Sequence, residues 1–320
     1  MLRADPWQLL RVPGVRPEQA DGFARALLGA GAGPDDERRG RAVTVWLLEQ
    51  AALAGHTALE MAALVVALDR QGVPEAEQAV QNAVSEGDVL VFQDAVGEAG
   101  DAEEEERPVR VLVGLERYAL AEESLADGLG RLINSVTERG AEWERAAASA
   151  EGSAGELIRA VAGHGLVLHT GGEASLAEPA ALVAAARGVG LRAWAVTHGP
   201  VGRARFAALV GGEDAGVVTA AGLLSGAEGP GRDADGALDV DLLVVLDAPQ
   251  LDVETAALVT ESLPDGARLV LAGDPGCCGR WGRGGCSPIC WRRGSVRRSP
   301  RGARIPGRWA SWCPGSASAS

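Results

Sequence analysis

Five short apolar runs limit what this chain can fold into. They are Leu166–His169, Arg192–Thr197, Gly216–Thr219, Leu242–Leu246 and Arg268–Ala272, set among glycine turns and alanine-rich stretches between Glu156 and Asp274. Runs this short, rich in valine and leucine, are strand-length, and their near-continuous apolarity asks for cover on both faces. Strands alternating with helical segments are satisfied by a parallel sheet layered with helices. The expected fold class is α/β, with a mostly helical region from Met1 to about Leu132 in front of it. A polar stretch near 136–155 reads as a linker, with Glu138 to Ala150 helical as the alternative, and 97–108, "GEAGDAEEEERP", as an acidic loop between the strand-like "DVLVF" and "VRVLVGL".

Charge divides the chain differently. Up to Gly276 there are 44 acids and 21 arginines, a balance of −23; from Cys277 onward there are 9 arginines and no acids. All five cysteines and four of the eight tryptophans lie in that last segment, and the chain has no lysine. The segment shows neither helical nor strand periodicity. Its cysteines suggest zinc, although adjacent Cys277-Cys278 makes a poor half-site beside Cys286-x-x-x-Cys290. Its arginines and tryptophans suggest nucleic acid. The expectation that fits best is a frameshift. Back-translating Cys277 to Arg293 with GC-rich codons and shifting by one nucleotide reads as ordinary globular sequence. No apolar run reaches the ~18 residues of a membrane span, and "MLRADPWQLL" lacks the order of a signal peptide. The expected location is cytoplasmic, with no membrane partner.

The first residues carry a second pattern. In "ADPWQLLRVPGVRPEQADGFARALLG", Asp5 can cap a helix opening at Pro6, and Pro13-Gly14 ends it. Pro17 opens another, with Ala20, Phe23, Ala24 and Leu27 on one side. The tight hairpin leaves backbone N–H groups at the second helix's N-terminus, which suit a phosphate oxygen. The candidate DNA-binding residues are therefore Arg11, Val12, Gly14, Val15 and Arg16, contacting the backbone with little sequence readout. Any short helical hairpin gives the same pattern. Arg38, Arg39 and Arg41 read as a solvated face near a helix start, with DNA contact as the minority reading, and His56 as a residue that caps or packs at another.

Three segments in order carry a resemblance: "DPWQLLRVPGVRPEQAD", "DDERRGRAVTVWLLEQAALAGHTALE" and "RYALAEESLADGLGRL". Together they resemble the N-terminal region of helix-hairpin-helix RecD-like DNA helicases over roughly 4–135. The hairpin departs from the family's Gly-apolar-Gly, since Arg16 follows Gly14-Val15. The resemblance implies a helix-hairpin-helix region at 1–135 and a partial RecA-like P-loop-type α/β domain at 156–276; composition sets the linker at 136–155 between them and the irregular, disordered tail, read as frameshifted, at 277–320. It also implies DNA as partner, with any protein partner unknown.

The same resemblance places a phosphate loop at Gly171, Gly172, Glu173, Ala174, Ser175, Leu176, Ala177 and Glu178. Ala177 stands where the family has its lysine, Glu178 where it has the metal-binding hydroxyl, and Leu176 where it has a glycine. In "DVDLLVVLDAPQLD", Leu246 aligns with the magnesium-holding aspartate and Asp247, a catalytic remnant, with the glutamate. "LPDGARLVLAGDP" matches the next family segment, and "THGPVGRARFAAL" sits where a DNA-contacting segment belongs. Lysine charge and the hydroxyl's metal are what such a loop supplies to phosphates. ATP and Mg²⁺ are thus implied by the resemblance alone, and no cofactor is expected from the residues themselves. The expected function is DNA-backbone binding without ATP hydrolysis; the alternatives are an active ATP-dependent helicase of recombination or repair and a non-catalytic interaction module. No G-x-S-x-G elbow supports a hydrolase, and no G-x-G-x-x-G a dinucleotide site. Sequencing the gene beyond the Gly276 codon is expected to show a helicase-like continuation in a neighbouring frame; an intact frame without one overturns the frameshift.

Overall fold

The computed structural model of the protein describes residues 2–95, 109–136, 140–148, 152–170, 176–211 and 216–273. The acidic stretch 97–108, the glycine turn 171–175 and the cysteine-bearing tail 277–320 lie outside the described residues. Contacts divide the chain into two compact units, the first closing at Leu120 and the second opening at Ala121.

The first unit opens with a short 3-10 helix, Pro6–Arg11, capped by Asp5, whose carboxylate accepts the Trp7 N–H at 3.2 Å. Then come α1 (Pro17–Leu28), α2 (Glu37–Leu53), β1 (Ala58–Glu60), α3 (Met61–Arg70), α4 (Ala76–Ser85), β2 (Leu90–Ala95), β3 (Val109–Gly114) and α5 (Glu116–Ser135). The strands form an antiparallel sheet ordered β1-β3-β2, with Val113 opposite both Leu59 and Val91. On α1 the buried residues are Pro17, Ala20 and Ala24. Leu27, expected on that stripe, is exposed, and Leu28 packs in its place because it continues the i, i+4 spacing from Ala24. No helix starts at His56. Its N–H bonds the Ala51 carbonyl at 2.9 Å and closes α2 in a Schellman motif, and β1 follows.

In the second unit α6 (Ala141–Ala148), α7 (Gly152–Gly163), β4 (Leu166–Thr170), α8 (Ala177–Gly188), β5 (Ala193–Thr197), α9 (Pro200–Val210), β6 (Val217–Thr219), α10 (Ala220–Ser225), β7 (Leu242–Val245), α11 (Val253–Glu261) and β8 (Arg268–Gly273) alternate. The five strands form one parallel sheet ordered β4-β8-β7-β5-β6. α8 and α9 pack together on one face, and α10 and α11 pack together on the other, as right-handed connections in this strand order require. Central β7 is buried on both faces. Leu242 and Val244 join Trp143, Leu182 and Phe206 under α6–α9, while Leu243 and Val245 face the opposite layer.

Two segments lie differently from the expected layout. Trp143 and Ala146 of α6 are buried in the sheet's core, so this part of the 136–155 stretch packs rather than links. The later turns of α5 also belong to the second unit. Arg131 donates to the Thr260 and Leu263 carbonyls and pairs with Asp265 at 2.7 Å. The change of contacts thus falls inside α5 instead of near 135. Among the described residues no helix is long and apolar enough to cross a membrane.

One buried cation ties the layers together. Arg268, at the start of β8, donates to the Val161 and Ala162 carbonyls at the end of α7 and stacks on Trp143, 4.6 Å from the ring centre. Burial pulls its pKa down, opposed by the Asp241 charge. Arg268→Met keeps the stem but leaves two buried acceptors unserved, a loss expected near ~2 kcal/mol. Urea midpoints at constant m-value check it, and an unchanged midpoint contradicts the capping role.

Candidate nucleic-acid interface and sheet-edge site

Because its strands are parallel, the sheet gathers their C-terminal ends on one edge, where open α/β sheets bind ligands. β4, β7 and β8 bring Thr170, Leu246-Asp247 and Gly273 there. Of the phosphate-loop candidates, Gly171, Gly172, Glu173, Ala174 and Ser175 lie outside the described residues. Leu176 is half-buried against the sheet core, and Ala177 is exposed. The Glu178 carboxylate lies 3.2 Å from His169 Nε2, which is buried and lacks hydrogen-bond alignment to it; the contact is one of proximity only. Leu246 is 3% exposed and belongs to the core under α8. Asp247 is exposed at φ +52°, the one non-glycine with positive φ among the described residues. Its carbonyl accepts the Gln250 N–H, and the turn it opens packs Pro249 onto β8. A β-carbon at Gly273 would sit 2.5 Å from Pro249 Cδ, so only glycine fits that approach. Among the described residues no three His, Cys, Asp or Glu side chains converge as a metal site. The "THGPVGRARFAAL" segment forms the end of β5 and most of α9. There Phe206 is buried and Arg203 pairs with Glu228, which also accepts the Thr219 N–H at 3.1 Å.

The hairpin lies in the first unit. Val12-Pro13-Gly14-Val15 is a type II turn: Val15 N–H bonds Val12 C=O at 3.2 Å, and Gly14 has φ +86°, which the third turn position requires. Val12, Gly14 and Arg16 are exposed and Val15 is half-buried. Fewer donors point outward than the sequence implies. Pro17 has no N–H, Gln19 and Ala20 bond the Arg16 carbonyl, and the Gln19 side chain accepts the Arg16 N–H at 3.0 Å. The Gly14 and Glu18 N–H groups are left without an acceptor among the described residues.

The turn is held from behind by residues the motif does not contain. Trp46 Nε1 donates to the Val15 carbonyl at 3.1 Å from α2. Asp21 accepts Trp7 Nε1 at 2.8 Å and two Arg39 nitrogens at 2.8 and 3.0 Å, and Arg39 also donates to the Gln71 and Gly72 carbonyls. Arg39 is therefore buried rather than part of a solvated face. Arg38 pairs with Asp36 and stacks 5.4 Å from the Trp7 ring centre. Arg41 lies between Asp88 and Glu86.

Residues 1–58 match the family model described as the ATP-dependent RecD2 DNA helicase HHH domain. The N-terminal region is RecD2-like and helix-hairpin-helix. No curated protein matches the chain.

The RecD2-like region carries 7 arginines and 7 acids, so the −23 of the body falls entirely on residues 59–276. The matched segment is therefore electrically balanced, and the excess acid that disfavours an anionic ligand belongs to the sequence after it. The hairpin's frame rests on Asp21. Burial pushes that carboxyl up, but hydrogen bonds from Arg39 and Trp7 and the Arg39 charge outweigh it and hold the carboxyl below its ordinary range. A lowered carboxylate contributes stability that is full above its unfolded pKa of about 4 and fades as pH falls through the folded value. Urea unfolding from pH 7 to about 2.5 is therefore expected to lose stability below pH ~4 by a larger amount in the natural chain than in Asp21→Asn. Arg39→Met is expected to cost ~3 kcal/mol at pH 7 by leaving Asp21 without its cation. Parallel acid limbs in the natural chain and Asp21→Asn contradict this role for Asp21.

Proposed function

We propose that this chain is a DNA-binding, helicase-related protein whose RecD2-like hairpin holds the sugar-phosphate backbone with little sequence readout and without hydrolysing ATP. The observation that carries the DNA reading is the Pro13-Gly14 turn, with two unsatisfied N–H groups beside exposed Arg16 in the segment that matches the family model. Backbone N–H groups at a helix start favour phosphate, and Arg11 and Arg16 add charge. Val12 and Val15 shape the approach.

The absence of turnover is argued from the sheet edge. Ala177 brings no cation, Glu178 adds negative charge beside His169, and the apolar Leu246 is packed in the core. One electrostatic contact of this kind is typically worth ~3 kcal/mol in a transition state, so losing several removes useful catalysis. Asp247 keeps a carboxylate at the edge. An active ATP-dependent DNA helicase is the second reading, favoured by the description of the matching family.

Anisotropy with labelled duplex across a salt series tests the first half. Arg16→Ala is expected to weaken binding equally on unrelated sequences and to shallow the log K against log salt slope by ~1. Phosphate release tests the second: no DNA-stimulated turnover above an empty control is expected. Turnover that Asp247→Ala abolishes supports the helicase instead.

A further inference from the structure

Beside the hairpin, a shallow cleft between the Pro6–Arg11 turn and α2 is lined by the Trp7 and Trp46 indoles, by the guanidiniums of Arg11, Arg38 and Arg41, and by three carboxylates, Asp5, Glu49 and Asp88. Arg38 is held by Asp36, the Ala4 carbonyl and the Trp7 ring. The other two share one carboxylate: Asp88 lies 3.5 Å from Arg11 and 3.2 Å from Arg41, with Glu86 at 3.5 Å from Arg41. Arg11 is 58% exposed. The Arg11 arm is long and exposed, the kind of pair that is weak and readily exchanged, whereas the Arg41 arm is a half-buried hydrogen bond, with Arg41 24% and Asp88 18% exposed. A phosphodiester offers arginine the same charge and acceptor oxygens as a carboxylate. The cleft adjoins the turn, since Trp46 lines it and holds the Val15 carbonyl.

We propose that Asp88 is a displaceable stand-in for a DNA phosphate: it holds Arg11 and Arg41 in this cleft until a backbone phosphate takes both guanidiniums from it. Arg41 thereby becomes a DNA contact that extends the site from the hairpin along α2. The inference rests on the reading of the hairpin as a DNA-backbone site.

Asp88→Asn removes the competitor and keeps the side-chain shape. Glu75→Gln makes the same change of charge at an exposed position outside the cleft. By anisotropy on a labelled duplex, Asp88→Asn is expected to bind about fivefold more tightly than Glu75→Gln, with a salt slope steeper by ~1, and adding Arg41→Gln removes the gain. Equal effects of Asp88→Asn and Glu75→Gln reduce the result to net charge and overturn the proposal, as does weaker binding by Asp88→Asn. If circular dichroism shows Asp88→Asn unfolded, Arg41→Gln alone decides: a shallower slope supports the contact, and an unchanged slope overturns it. Arg16→Ala separates the two claims. Intact binding there with a gain in Asp88→Asn supports the cleft and removes the hairpin; binding by neither the natural chain nor Asp88→Asn overturns both.

Discussion

One carboxylate sets the geometry of the first unit. Asp21 stands on α1 and receives the Trp7 indole from the opening turn and the Arg39 guanidinium from α2. Arg39 extends the link to the carbonyls of Gln71 and Gly72 at the end of α3. Four of the five N–H donors of a flat, forked side chain are thereby used, which fixes angles as well as distances. The worth of such a buried pair lies less in net stability than in the cost of any arrangement that breaks it. The Val12–Val15 turn is strung between two of the segments Asp21 joins, so its shape follows from this contact and from Trp46 behind it.

The second unit repeats the device. Arg268 reaches two helix-end carbonyls and lies over an indole, so α6, α7 and β8 are keyed by one cation, with carbonyl dipoles in place of a carboxylate. In a chain without lysine, arginine must serve both structure and ligand binding. Arg38 and Arg39 are committed to structure, Arg11 and Arg41 are held on a shared acid, and Arg16 stays exposed. Counting arginines in a sequence therefore overstates the charge offered to a phosphate. The burial and pairing of each decide it.

Much of this was legible in the residues. Each of the five apolar runs became a strand of the parallel sheet, because continuous apolarity over four to six positions has few other uses. Asp5 and Pro6 opened a helical turn, and Pro13-Gly14 closed it in the one turn type that suits that pair. What escaped depended on distant partners. Nothing local distinguishes Arg39, with its acid on another helix, from Arg38, two residues from its own. Trp46 looks like any core aromatic until the fold brings it to Val15. β1 is three residues long and exists only because β3 pairs with it, and Leu28 displaced Leu27 through a turn of phase that short helices leave open.

At the sheet edge, parity makes the argument. Residues 242, 244 and 246 point to the face covered by α8, so Leu246 continues an apolar row rather than presenting a ligand. The chain must then leave the strand sharply, and it does so through Asp247 in the left-handed region, a conformation costing on the order of 1 kcal/mol for a residue with a β-carbon. Aspartate tolerates it better than most, and the turn returns the cost by seating Pro249 against Gly273. The exposed carboxylate of Asp247 is thus a consequence of how β7 ends. On the described residues this edge is organised by apolar packing and a tight turn, with charge left at its margin in Glu178 and Asp247.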